Sequence, residues 1–76
     1  MTPDQIYDWL LTQGVKEPAC IKLGDRHIVG RWEPIGEEIA GYVCASDKQA
    51  ILVMGWGDTW PNAHEEAKEF LARSIA

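Results

Sequence analysis

Seventy-six residues, 46% of them hydrophobic and four of them Trp, are enough for one small domain with a packed core and exclude a wholly disordered chain. Twelve acids against seven bases give a net charge of −5. That is the wrong sign for a surface that displaces counterions from phosphates, so no direct nucleic-acid binding is expected.

The opening stretch MTPDQIYDWLL carries acids and lacks the basic start and long apolar run of a signal peptide. No run of the chain approaches the ~20 apolar residues that span a bilayer. A cytoplasmic protein without a membrane partner is the expectation. The same stretch predicts a helix, with Thr2 as N-cap, Pro3 at the first helical position and Gln5 placed to complete a capping box. Ile6, Trp9 and Leu10 share one helical face, with Gln13 at its margin, and Gly14 is placed to end the helix.

Beyond Gly14 the hydrophobic period falls to two. Strands are expected at about 19–23, 26–32, 38–45 and 49–56, joined by turns at Gly24-Asp25, Pro34-Ile35-Gly36 and Asp47-Lys48. Read as a meander, these turns set Ile21 against Ile28, Ile28 against Val43, Trp32 against Ile39, Val43 against Leu52 and Ile39 against Trp56. One face then collects Ala19, Ile21, Leu23, Ile28, Gly30, Trp32, Ile39, Gly41, Val43, Ala50, Leu52, Met54 and Trp56. Being almost wholly apolar, it is the face expected to take the helices. Gly30 and Gly41, as cross-strand neighbours, would let a helix approach closely.

In GWGDTWP, residues 55–61, Trp56 is expected to be buried at the end of the last strand. Gly55 and Gly57 would release the chain from the sheet, and Asp58 or Thr59 would cap the next helix. Pro61 falls in its first turn. This second helix runs from about Thr59 or Asn62 to Ser74. Its inner face is Ala63, Ala67, Phe70, Leu71 and Ile75, and Glu65, Glu69 and Arg73 form a solvated side. Trp60 alone has no structural task here, and is either a staple for the helix start or an exposed rim residue. The expected fold is therefore a single α+β domain over residues 1–76: helix, four-stranded antiparallel meander, helix, with both helices on one face.

This helix–strands–helix order resembles that of double-stranded-RNA-binding domains, with one extra strand. The resemblance implies that fold and makes an atypical RNA-binding domain one alternative. Lysines open the last helix in that family, whereas NAHEEAKEF offers Glu65 and Glu66.

The alternate sheet positions read Cys20, Lys22, His27, Val29, Arg31, Ala40, Tyr42, Cys44, Ile51 and Val53. In the meander register, Cys20, Val29, Tyr42 and Val53 form an apolar row where a solvated face should be polar. Ordinary β-propensity accounts for such a row. A partner covering it accounts for the row equally, with Val29, Tyr42, Ile51, Val53, Arg31 and Trp60 as contact residues and Tyr42 as anchor. Asp25, Glu33, Glu37 and Glu38, with the acids of the last helix, would give an acidic surface suited to a basic partner.

Catalytic and metal chemistry have little support. Cys20, His27, Cys44 and His64 lack the paired spacing of zinc motifs. The meander brings His27 beside Cys44, but no third orienting group completes a nucleophile. Cys20 and Cys44 lie too far apart to bridge, and no cofactor motif occurs. The sequence thus points to a small, acidic, non-enzymatic protein–protein interaction module. In size and charge it resembles phage-encoded inhibitors of host defence, the anti-CRISPR proteins among them. That resemblance implies a partner with a basic nucleic-acid groove. The alternative is a homo-oligomeric structural module, a homodimer that buries the Tyr42 row against its mate.

Overall fold

The computed structural model describes the backbone of residues 1–34, 42–44 and 49–75, and the side chains of residues 1–33 and 49–73. Helix α1 (Pro3–Thr12) starts and stops where local chemistry dictates. The Thr2 hydroxyl accepts from the Gln5 N–H, and the Gln5 side chain accepts from the Thr2 N–H at 2.9 Å, which closes the capping box. At the other end Gly14 adopts a φ of +82°, and the N–H groups of Gly14 and Val15 donate to the carbonyls of Leu11 and Leu10. This Schellman closure also seats Val15 beside Leu10 in the core.

Strands β1 (Pro18–Leu23), β2 (Arg26–Pro34), β3 (Tyr42–Cys44) and β4 (Gln49–Gly57) precede helix α2 (Trp60–Ile75). All pairings are antiparallel, and the fold class is α+β. The lateral order, β1-β2-β4-β3, is not a meander. The long apolar strand β4 enters between β2 and β3, leaving the three-residue β3 at the edge. Its run AILVM explains the insertion, because a near-continuous apolar strand is best satisfied with neighbours on both sides.

The β1–β2 hairpin pairs Ile21 with Ile28, as its two-residue turn requires. The other expected pairings are corrected. Ile28 lies opposite Trp56, Trp32 opposite Ile51 and Val43 opposite Ile51, while Ile39 and Gly41 fall outside the described residues. The register of β2 on β4 also slips once. Val29 pairs with Gly55 but Gly30 with Val53, so Met54 is an extra, unpaired residue. Gly30 suits this bulge, since a Cβ there would overlap the Leu52 carbonyl oxygen.

The bulge and the strand order together reassign the two faces. Helix α1 packs over β1, and α2 packs over β4 and β2. The core between the layers is built from Ile6, Leu10, Val15, Val29, Met54, Ala63 and Ala67, with Trp9, Cys20, Trp60, Phe70 and Leu71 packed around it. The helices therefore cover the Cys20/Val29 face, which was expected to be open. The Ile21/Ile28 face, expected to lie beneath the helices, carries a second cluster. It contains Ala19, Ile28 and Ile51 with Ile21, Trp32 and Val53, and every member is a strand residue.

Helix α2 rests on β4 almost backbone to backbone. A Cβ at Gly55 would overlap the carbonyl oxygen of Ala63, and one at Gly57 would stand 2.7 Å from the Asn62 Cβ. The strand continues through Gly57, so these glycines admit the helix rather than release the chain. Thr59 is the cap of α2: its hydroxyl accepts from the Asn62 N–H at 3.2 Å and its carbonyl from the Ala63 N–H at 3.1 Å.

Candidate protein interface

Of the two tryptophans of GWGDTWP, Trp56 departs from the buried position expected of it, and Trp60 takes the first of its two expected roles, at the helix start. Because the bulge adds a residue to β4, Met54 and Gly55 both turn toward the helices and Trp56 turns away. Trp56 is 51% exposed, in register with Ile28 and Ile21 on the helix-free face. The Arg26 guanidinium lies 4.2 Å from its ring centroid. Leu23, paired with Arg26 at the β1–β2 turn, is 46% exposed on the same face. Trp56, Arg26, Leu23 and Ile21 thus form one end of an apolar surface with a cation above its largest ring.

Trp60 is partly buried. It packs against the inter-layer core, and His27 meets its ring edge-on at 4.8 Å between centroids. One turn later His64 makes the same contact with Trp9 of α1 at 4.6 Å. Two imidazole–indole pairs therefore join the start of α2 to β2 and to α1. His27 Nδ1 and His64 Nε2 are buried with no hydrogen-bond partner among the described residues. Burial, followed by the nearby Lys68 cation, lowers the His64 pKa, and the Glu65 carboxylate opposes them.

The remaining expected contact residues scatter. Val29 is wholly buried beneath the helices, so it is not on an open surface. Ile51 and Val53 do lie on the helix-free face, but Ile51 is also fully buried there. Arg31 is exposed and donates from Nε to Glu33 Oε1 at 2.6 Å, so Glu33 is engaged rather than a free acid. Tyr42 is opposite Leu52 in the ladder, and its side chain lies outside the described residues, as do Glu37 and Glu38. Asp25 is exposed at the β1–β2 turn. Asp4 and Asp8 on α1, exposed acids missing from the expected set, join the exposed Glu65, Glu66 and Glu69 of α2 in giving the helix layer its acidic character. The i,i+4 spacing of Asp4 and Asp8 was the available signal.

The thiol chemistry loses its geometry. Cys44 pairs with Ala50, whereas His27 pairs with Gly57 near the far end of β4, about 20 Å along the strand. Cys20 is free, and burial with a contribution from Asp4 pushes its thiol from 9.0 up to about 11, so it stays protonated at neutral pH. No group of metal-binding side chains occurs among the described residues. No helix among them is long and apolar enough to cross a membrane. A cleft of about 600 Å³ opens between the end of α1, β2 and α2, floored by Met54, Phe70 and Leu71. Lys16 and Arg31 on its walls are matched by Glu17 and Glu33, so it favours neither sign of ligand charge.

Comparison with protein-family models, curated proteins and solved structures returns no match, and the functional reading rests on the residues themselves.

Proposed function

We propose that this chain is a small, acidic, non-enzymatic protein–protein interaction module whose contact centre is Trp56. The observation that carries the reading is a half-exposed indole on the sheet face that no described helix covers, with Arg26 over its ring and Leu23, paired with Arg26, exposed on the same face. Trp and Arg are among the residue types that most often dominate binding energy in an apolar patch. A net charge of −5 favours a partner with a basic rim around a pocket for the indole. An inhibitor that occupies the nucleic-acid groove of a host-defence protein fits this chemistry.

Parallel capture from a host lysate on immobilised wild type, Trp56→Ala and Tyr7→Ser tests the proposal. One protein should be retained by wild type and by the Tyr7 variant, and lost at least tenfold on the Trp56 variant. Its retention should also fall as salt rises from 50 to 500 mM. Equal retention on all three baits would reject Trp56 as the contact centre. Salt-insensitive retention would reject the basic partner.

A further inference from the structure

Among the described residues, the outer edge of β1 has the properties of an unfilled pairing site. The Trp32 N–H donates to the Glu17 carbonyl at 2.9 Å, which fixes the phase of the β1–β2 ladder. In an antiparallel pair, residues alternate between bonding the neighbour and pointing away from it. Ala19, Ile21 and Leu23 therefore bond β2, while the backbone groups of Cys20 and Lys22 point outward. No described strand lies beyond β1. Pro18, the other outward residue, has no N–H to offer.

Apolar side chains border this edge in both layers. On α1, Ile6 and Leu10 enter the core and Trp9 faces His64 of α2. At 100° per residue, Tyr7 falls on the flank opposite Trp9, and Leu11 follows one turn later. α1 lies over β1, the outermost described strand, and Tyr7 borders Glu17 and Pro18 at the start of that strand. Tyr7 is 43% and Leu11 49% exposed. On the other layer, Ile21 and Leu23 reach the same edge. A lone peptide strand would satisfy the backbone groups but leave Tyr7 and Leu11 in water. A partner that satisfies both layers must itself be a strand edge overhung by a helix.

We infer that a second copy of this chain pairs with β1, antiparallel and two-fold symmetric, with Ile21 facing Ile21 of its mate on the axis. Of the three centrings that keep both Cys20 and Lys22 in the ladder, this one is free of conflict. Centring on Cys20 would spend Lys22 on Pro18, which lacks a donor, and centring on Lys22 would set two cations opposite each other. With Ile21 on the axis, Cys20 and Lys22 of the two copies exchange four backbone hydrogen bonds. Lys22 then stands against the mate's Cys20 on the helix side, where Asp4 already acts on the thiol. Lys22 of each copy is thereby brought toward Asp4 of the other, an attraction that opposes the repulsion between two acidic chains. On the helix-free face the Trp56–Ile28–Ile21 rows of both copies become one continuous apolar strip. This inference goes beyond the Trp56 reading and does not depend on it.

Cysteine cross-linking under mild oxidation, read beside sedimentation velocity from 5 to 500 µM, tests the register. Facing non-hydrogen-bonded residues bring Cα atoms to about 4.5 Å, within disulfide range. Ile21→Cys should therefore give a covalent dimer at least tenfold faster than Leu23→Cys. Leu23 is the more exposed position, but its mate would lie roughly 13 Å away across the axis. Lys22→Glu should weaken self-association at least fivefold, and Asp4→Lys combined with Lys22→Glu should restore it. Trp56→Ala should leave it unchanged. A monomer throughout the range, cross-linking at equal rates, or charge reversal without effect would each overturn the inference. Ellipticity checks that every variant is folded, and the charge pair decides the matter if the cysteine variants are not.

Discussion

Arg26 holds its guanidinium 4.2 Å from the ring of Trp56 on the side of the sheet that no described helix covers. The contact contributes about 0.5–1 kcal/mol at an exposed site. Trp56→Ala should therefore lower unfolding free energy by about 1 kcal/mol or less, since half the ring is already in water. Urea denaturation checks this. A loss as large as that of a core residue would mean that Trp56 serves the fold rather than a partner.

Trp60 should behave oppositely. It packs on the inter-layer core and holds His27 against its ring. Trp60→Ala removes both contacts at the start of α2 and should cost about 3 kcal/mol in the same measurement. Trp60→Phe keeps an apolar ring and should recover most of that loss. The ordering of the three proteins by denaturation midpoint is the result that matters.

The contrast between these tryptophans shows where the sequence could be read. Thr2, Gln5, Gly14 and Thr59 act within three or four residues of their partners, so both helix starts and the end of α1 were legible. The Gly24-Asp25 turn likewise set the β1–β2 register. The pairing of β2 with β4 joins residues 15 to 30 positions apart, and no local motif announces it. The bulge at Met54 was hidden for a related reason, because alternation in LVMGW looks unbroken until a partner strand counts one residue fewer. One unseen insertion was enough to turn Trp56 outward. The apolar character of both faces removed the contrast that would have shown which one the helices take.

His64 gives the fold a pH dependence with a definite sign. Its buried, unpartnered Nε2 disfavours the imidazolium, so the folded pKa lies below the ordinary 6.5. As pH falls, the unfolded chain binds the proton first, and stability declines. The contribution is present above pH 6.5 and is lost as pH falls from there through the folded pKa. Chemical denaturation at pH 8.0, 7.0, 6.0 and 5.0 should show this decline in wild type. His64→Gln, which cannot titrate, should show a shallower one over the same window. Parallel slopes would place the pH dependence in the carboxylates instead.

Gly55 is the position where the smallest change should be felt most. Ala63 and Ala67 of α2 are fully buried against it, and an added methyl would overlap the Ala63 carbonyl oxygen and stand 2.5 Å from the Ala67 nitrogen. Both obstacles are backbone, so no side chain can rotate aside, and the helix must move off β4. Overpacking of this kind costs about 1–3 kcal/mol. Gly55→Ala should reach the upper part of that range in urea denaturation. Because the displaced helix carries Trp60 away from His27, its near-ultraviolet signal should change while helical ellipticity is kept. An unchanged midpoint would mean that α2 does not rest on β4 at this glycine.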